Sequence, residues 1–127
     1  MTADFGVVRK SFEALMSFQR VCLESDLIEG VARSFQYCRD GVKREGLILR
    51  AAHEIVAFEN ACRHLPVSLD GGTGDFLITD QNHLICHAHA ATYEVSTGLC
   101  VRGPCAGLSL KRIPVTISKN EIWIEED

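Results

Sequence analysis

The sequence has no run approaching the ~20 consecutive apolar residues that a bilayer-spanning helix requires, which excludes an ordinary helical membrane protein. It has no basic excess. Lys and Arg number 13 against 17 Asp and Glu, for a net charge of −4, so the electrostatic footprint of a nucleic-acid binder is missing. There is no rhythm of strands alternating with long helical patterns, which argues against a parallel sheet of the dinucleotide-binding kind. Internal repeats and low-complexity segments are missing as well. The first ten residues lack the order of a secretory signal, because Asp4 precedes the few apolar residues and the pair Arg9-Lys10 follows them. That pattern leads us to expect a cytoplasmic protein, whose thiols stay reduced. Six cysteines in 127 residues are too few for a disulfide scaffold.

What remains is an ordinary globular mix, 46 % apolar and 24 % charged, in a chain long enough for one domain with a real core. Within it, six cysteines and five histidines are a surplus that needs an explanation. In a reducing compartment, cysteines point to metal binding, catalysis or plain burial.

The first ~20 residues differ from the rest. Phe5, Val8, Phe12, Leu15 and Met16 recur on one helical face, with Arg9, Lys10, Glu13 and Gln19 elsewhere. This predicts an N-terminal helical extension over 1–20, packed on its own domain or offering a homo-oligomer or partner contact. From about Val21 the pattern changes to short strands separated by turns: Ala32–Tyr37, Gly46–Arg50, Glu54–Glu59, Phe76–Ile78, His83–Cys86, Ile113–Ser118 and Glu121–Glu125. Thr79–Asn82 and Lys119-Asn120 read as hairpin turns. Strands at this spacing predict an all-β antiparallel sandwich or barrel. Cys62–Asp75, which contains Pro66, Asp70, Gly71, Gly72 and Gly74, reads as a long loop. A loop this irregular needs something to order it, and a bound metal would serve.

Two short motifs flank that loop. Cys62-Arg63-His64 is a C-x-H, and Cys86-His87-Ala88-His89 is a C-x-x-H. Together they supply two soft sulfurs and two imidazole nitrogens. A tetrahedral zinc ion accepts such a Cys₂His₂ set, and so does a [2Fe–2S] cluster with cysteines on one iron and histidines on the other. Zinc sites usually pair like ligands two to four residues apart, whereas each arm here is mixed, so the spacing favours the cluster.

These paired arms, in this order, resemble the Rieske family. The resemblance runs from about Val21 to Glu125. It takes in Leu27-Ile28-Glu29-Gly30 as the opening segment, Gly46–Glu59 as the hairpin leading to the cluster, and Asp70-Gly71-Gly72 and Thr97-Gly98 as the turns after the two arms. Gly103-Pro104 resembles the loop that covers the cluster, and Ile113–Glu125 the closing strands. It implies a Rieske-like β sandwich over 21–127, with a two-loop cluster-binding subdomain at about 60–106. It implies one [2Fe–2S] cluster per chain, bound by Cys62 and Cys86 at the buried iron and by His64 and His89 at the outer iron, whose exposed imidazole edges would be the electron exit.

Several positions depart from the family's pattern. His87 and Ala90 stand where many members carry Pro and Gly. Val67 and Ala88 stand where the high-potential respiratory branch has a disulfide. Ala91 replaces that branch's Ser donor, while Tyr93 keeps its Tyr donor. Fewer hydrogen bonds to sulfur imply a potential in the low part of the Rieske range, which spans about −150 to +300 mV.

The remaining candidates read as structural. Cys22, Cys38, Cys100 and Cys105 are expected to be buried thiols, with Cys100 and Cys105 a minor candidate for a redox-sensing pair. His53 and His83 read as turn or strand-edge residues, and His87 as a solvent-facing residue of the docking tip. The resemblance implies an electron carrier between a reductase and an oxygenase or similar acceptor, with no catalytic residues of its own and no nucleic-acid or membrane partner. Three alternatives remain. One is a small Rieske subunit of a larger oxidoreductase, like that of nitrite reductase, and another is a zinc-binding Cys₂His₂ interaction module. The third is a Cys–His hydrolase or redox sensor, but two matched arms do not ask for a single activated cysteine. A complete ring-hydroxylating oxygenase would need a further mononuclear iron site, and 127 residues leave no ligands or length for it.

Overall fold

Tight two-residue turns set the frame. Asp40-Gly41, with φ of 54° and 75°, joins β2 (Arg33–Arg39) to β3 (Val42–Ala51). Ala52-His53, at 52° and 69°, joins β3 to β4 (Glu54–Glu59), and Lys119-Asn120, at 53° and 66°, joins β9 (Val115–Ser118) to β10 (Glu121–Glu125). Left-handed backbone at both central positions matches the right-handed twist of the flanking strands, so each turn closes a hairpin in register. The computed structural model describes residues 18–63, 67–87 and 91–125. Among these residues helix is confined to the single turn Glu24–Asp26, and every strand ladder is antiparallel.

Three sheets result. β1 (Phe18–Leu23), β10 and β9 form one, in that order, and β2, β3 and β4 form the second. The third runs β5 (Leu77–Ile78), β6 (His83–Ile85), β7 (Thr92–Glu94), β8 (Cys100–Arg102). The second sheet lies between two cores. Leu47 pairs with Phe58 and Leu49 with Val56, while Ile48 pairs with Ala57. Strand side chains alternate faces, so the first four look one way and the last two the other. Ile48 and Ala57 pack with Cys22, Ile113, Ile122 and Ile124 between the first two sheets. Leu47, Leu49, Val56 and Phe58 pack with Leu84, Tyr93, Cys62 and Cys86 toward the third. This explains why Leu47-Ile48-Leu49 does not alternate in polarity: all three are fully buried. Each such side chain contributes about 1.5–3 kcal/mol of burial.

The third sheet and its loops are an excursion from this frame. The chain leaves β4 at Glu59, whose N–H donates to the Lys111 carbonyl at 2.8 Å. It returns at Ile113, whose N–H donates to the Ala57 carbonyl at 2.9 Å. Departure and return are therefore paired side by side.

The expected antiparallel all-β architecture is observed. One boundary shifts: Phe18–Arg20, expected within the helical extension, are strand residues, pairing with Glu125, Ile124 and Trp123 of β10. In this strand only Cys22 is buried, so its sequence carries little alternation. The rest of the helical extension expected over 1–20, and the homo-oligomer contact assigned to it, lie outside the described residues. No helix among the described residues is long and apolar enough to cross a membrane.

Candidate metal centre

Cys62 follows β4 by three residues and Cys86 follows β6 directly, so each begins a loop just beyond a strand. Each closes its own loop in the same way. The Cys62 N–H donates to the Val67 carbonyl at 2.9 Å, and the Cys86 N–H to the Ala91 carbonyl at 2.8 Å. In both arms a cysteine is tied five residues ahead. The arms are also tied to each other, because the His87 N–H donates to the Leu69 carbonyl at 2.9 Å. Both cysteines are buried, at 5 % and 1 % exposure, and belong to one apolar core with Ala91, Tyr93, Cys100 and Cys105. His64 and His89 lie outside the described residues, so the structure reports on the two sulfur ligands of the expected four. Among the described residues no cluster of three or more His, Cys, Asp or Glu forms a metal site.

Asn60 and Asp70 stiffen the first arm. Asp70 is 2 % exposed and lies at the head of the turn that follows the loop. Its carboxylate accepts from the Gly72 N–H at 3.1 Å, the Gly74 N–H at 2.8 Å and Asn60 Nδ2 at 3.2 Å. Asn60 Oδ1 accepts in turn from the Leu69 N–H at 2.7 Å. Burial alone would raise the Asp70 carboxyl, but these hydrogen bonds outweigh it and hold the group below the ordinary carboxylate range. Asp70-Gly71-Gly72 was expected as a turn. Asn60 was not singled out, and its only sequence signal is a polar side chain directly after an apolar strand.

Tyr93 reaches the first cysteine from β7. Its hydroxyl lies 3.4 Å from Cys62 Sγ and accepts from the Arg63 N–H at 2.9 Å. It also lies 3.1 Å from Cys105 Sγ. Burial, then hydrogen bonding to Cys105 and Cys62, pushes the phenol far above its usual range, so it is a neutral O–H. The expected Tyr hydroxyl thus lies within reach of Cys62, with Cys105 as a second sulfur neighbour. The cover loop sits close to the second arm: a Cβ on Gly103 (φ +102°) would come within 2.9 Å of Ala91 Cα. Only glycine permits both that backbone and that approach. Gly71 plays the same part for His87, since a Cβ there would meet the ring at 2.6 Å. His87 is exposed, as expected, but lies against this turn.

Of the thiols expected to be buried, three are, and Cys38 is only partly so. Cys22 is buried in β1, Cys38 partly buried in β2, Cys100 buried in β8 and Cys105 buried in the turn after it. His53 is in the β3–β4 turn and His83 in β6. None of the six cysteines forms a disulfide.

Two buried thiols on linked loops, with a neutral O–H beside one of them, are a soft, dry donor set. Such a set suits an iron–sulfur cluster. Comparison with known proteins agrees. No curated protein sequence matches the chain. Among solved structures, the ferredoxin of carbazole 1,9a-dioxygenase from Nocardioides aromaticivorans IC177 is similar, with a TM-score of 0.67 and 23 % identity over 87 % of this chain and 99 % of that one. The terminal oxygenase of carbazole 1,9a-dioxygenase from Novosphingobium sp. KA1 is similar at a TM-score of 0.68 and 20 % identity, over 87 % of this chain but 30 % of that one. A complex of reduced oxygenase and oxidized ferredoxin in carbazole 1,9a-dioxygenase matches with a TM-score of 0.67 and 23 % identity, covering 87 % of this chain and 94 % of that chain. At these identities the likeness speaks for the fold. The model of the Rieske [2Fe–2S] domain matches residues 17–114, and the chain belongs to that family, with a [2Fe–2S] cluster as its cofactor.

Proposed function

We propose that the chain is a Rieske-type ferredoxin of the cytoplasm, carrying single electrons from a reductase to an oxygenase or similar acceptor. The observation that carries this reading is the pair of buried cysteines on two loops tied to each other. Cys62, His64, Cys86 and His89 would hold the cluster. When bound, the cluster supplies reversible storage of one electron. The rest is the work of the chain's own groups. Asn60 and Asp70 fix the first loop, and the His87–Leu69 hydrogen bond holds it to the second. Gly103 lets the cover loop approach Ala91 closely enough to exclude water. The Tyr93 hydroxyl lies beside Cys62 and, by donating to it, would favour the more negative, reduced state. With Ala91 in place of a second donor, the potential should sit in the low part of the range of about −150 to +300 mV.

The docking tip would comprise Leu65, Pro66, His87 and Ala88, and Val67 at its edge is 37 % exposed. Such a tip fits a small, transient contact. The carrier reading is supported by a ferredoxin that complexes with its oxygenase and is matched over nearly its whole length. A second reading, a Rieske subunit of a larger oxidoreductase, draws on the similar fold found within a terminal oxygenase.

Anaerobic purification tests the proposal. We expect a red-brown protein with two irons and two sulfides per chain. Once chemically reduced, it should be reoxidised by a Rieske oxygenase. A colourless protein with one zinc would overturn it.

A further inference from the structure

A chain of sulfur contacts extends from the metal centre into the adjoining turn. Cys105 Sγ donates to Cys100 Sγ at 3.2 Å, and Cys100 Sγ donates to the Arg102 carbonyl at 3.2 Å. The backbone holds the pair together. The Cys100 N–H donates to the Leu108 carbonyl at 2.7 Å, and the Gly107 N–H returns to the Cys100 carbonyl at 2.9 Å. Cys105 thus sits on the buried side of the five-residue turn Gly103–Gly107, with its sulfur already in contact with the sulfur of Cys100. A disulfide requires the two sulfurs to move roughly 1 Å closer, a change that side-chain rotation within one turn can supply.

We propose that Cys100 and Cys105 are a second redox site, a dithiol that hydrogen peroxide converts to a disulfide, and that this conversion strengthens the hydrogen bond from Tyr93 to Cys62. Burial, at 1 % and 3 % exposure, selects a small oxidant over a bulky disulfide. The Cys105 sulfur gives up its proton and attacks one peroxide oxygen, the O–O bond breaks, and the departing oxygen takes that proton as water, leaving a sulfenic acid on Cys105. The Cys100 sulfur then displaces the hydroxyl as a second water. Two thiols lose two electrons and two protons, and one peroxide becomes two waters.

The effect on the centre follows from a count of hydrogens. Tyr93 has one hydroxyl hydrogen and two sulfur neighbours, Cys105 at 3.1 Å and Cys62 at 3.4 Å. The Cys105 hydrogen is committed to Cys100, so in the dithiol the Cys105 sulfur competes with Cys62 for that one hydrogen. In the disulfide the Cys105 sulfur is drawn toward Cys100 and its lone pairs are poorer acceptors. The Tyr93 hydrogen then goes to Cys62 alone. A stronger hydrogen bond to a ligand sulfur stabilises the reduced cluster and raises its potential. This second half rests on Cys62 being a cluster ligand, as proposed above.

The test uses the holoprotein. One equivalent of hydrogen peroxide is added without air, and alkylation with peptide mass mapping is followed by a spectroelectrochemical titration. We expect loss of alkylation at Cys100 and Cys105 only, an intact visible spectrum, and a midpoint potential shifted upward. Denaturation in dithiothreitol should restore alkylation at both thiols. Cys100→Ser should show no peroxide-induced shift. Cys105→Ala, which removes the competing sulfur outright, should start at the raised potential and stay there. Continued alkylation of both thiols after peroxide would overturn the redox site. A formed disulfide with an unmoved potential, or a downward shift, would overturn its link to Tyr93. A preparation without the cluster's visible bands would instead sink the carrier reading and the link with it, while the mass map would still decide on the dithiol.

Discussion

The frame and the excursion are held together by different means. The frame, β1–β4 with β9 and β10, rests on long ladders closed by tight turns and on side chains buried on both faces of its middle sheet. The excursion has strands of two or three residues, and much of its order comes from hydrogen bonds to loop backbone: Cys62 to Val67, Cys86 to Ala91, Asp70 to two glycine N–H groups, Tyr93 to Arg63. The difference teaches that the frame can form from its own apolar burial, whereas the excursion gains its rigidity from a few polar nodes and from whatever its cysteines bind. Redox function needs this division, because a metal centre works best when its loops are held from behind by something that does not depend on the metal.

The sharpest way to break the comparison is Cys86→Ala. We expect complete loss of the cluster and its colour. Hydrogen exchange should quicken across residues 60–110 while β2–β4 and β9–β10 keep their protection. Uniform loss of protection would mean that the frame also depends on the metal. Next comes Phe58→Ala. Phe58 belongs to a frame strand but faces the excursion core, and it is also overlaid by Gly98 and the Arg112 guanidinium. A loss of about 3–5 kcal/mol is expected in denaturant titration, felt in both regions.

Asp70→Asn should cost less, about 1–3 kcal/mol, because it trades charge-assisted hydrogen bonds for a misplaced amide donor. It should also change the acid profile. The folded Asp70 carboxyl ionises below its unfolded value of about 3.9, so its contribution is complete above that pH and disappears as pH falls through the lower folded value. Acid unfolding of the excursion should therefore be shallower in the variant, and an identical profile would remove Asp70 from the account. The smallest effect is expected in the frame. His53→Gly relieves a left-handed residue in an exposed turn, φ 69°, and should add about 0.5–1 kcal/mol without changing the visible spectrum.

Much of this arrangement could be read before any coordinates. Glu54–Glu59 and Glu121–Glu125 were expected with their observed limits, because their turns and apolar positions are unambiguous. The two cysteine arms and the Tyr93 donor followed from spacing and family resemblance. Thr92–Glu94 and Cys100–Arg102 are not expected as strands; His83–Ile85, equally short, is legible only because it flanks the turn Thr79–Asn82. Phe18–Arg20 was assigned to the wrong element for a related reason. An edge strand with a bulge and a single buried residue looks, in sequence, like the tail of whatever precedes it. The Cys100–Cys105 pair is a candidate on spacing alone, whereas the role of Asn60 depends on how the loop folds back to place Leu69 and Asp70 beside it, which no local pattern encodes.

The paired ends of the excursion have an architectural consequence. Glu59 meets Lys111 and Ala57 meets Ile113, so some fifty residues join the frame through one paired stem and otherwise rest on the apolar face of Leu47, Leu49, Val56 and Phe58. Loop-closure cost grows slowly with length, and here the stem has already met it. The segment between Glu59 and Lys111 therefore behaves as a cassette. Its loops can be lengthened, exchanged or refitted for a different acceptor without renegotiating a single pair in the frame's ladders. A transplant of the whole cassette onto another antiparallel hairpin needs a matching pair of strand ends and an apolar face to replace Leu47, Leu49, Val56 and Phe58.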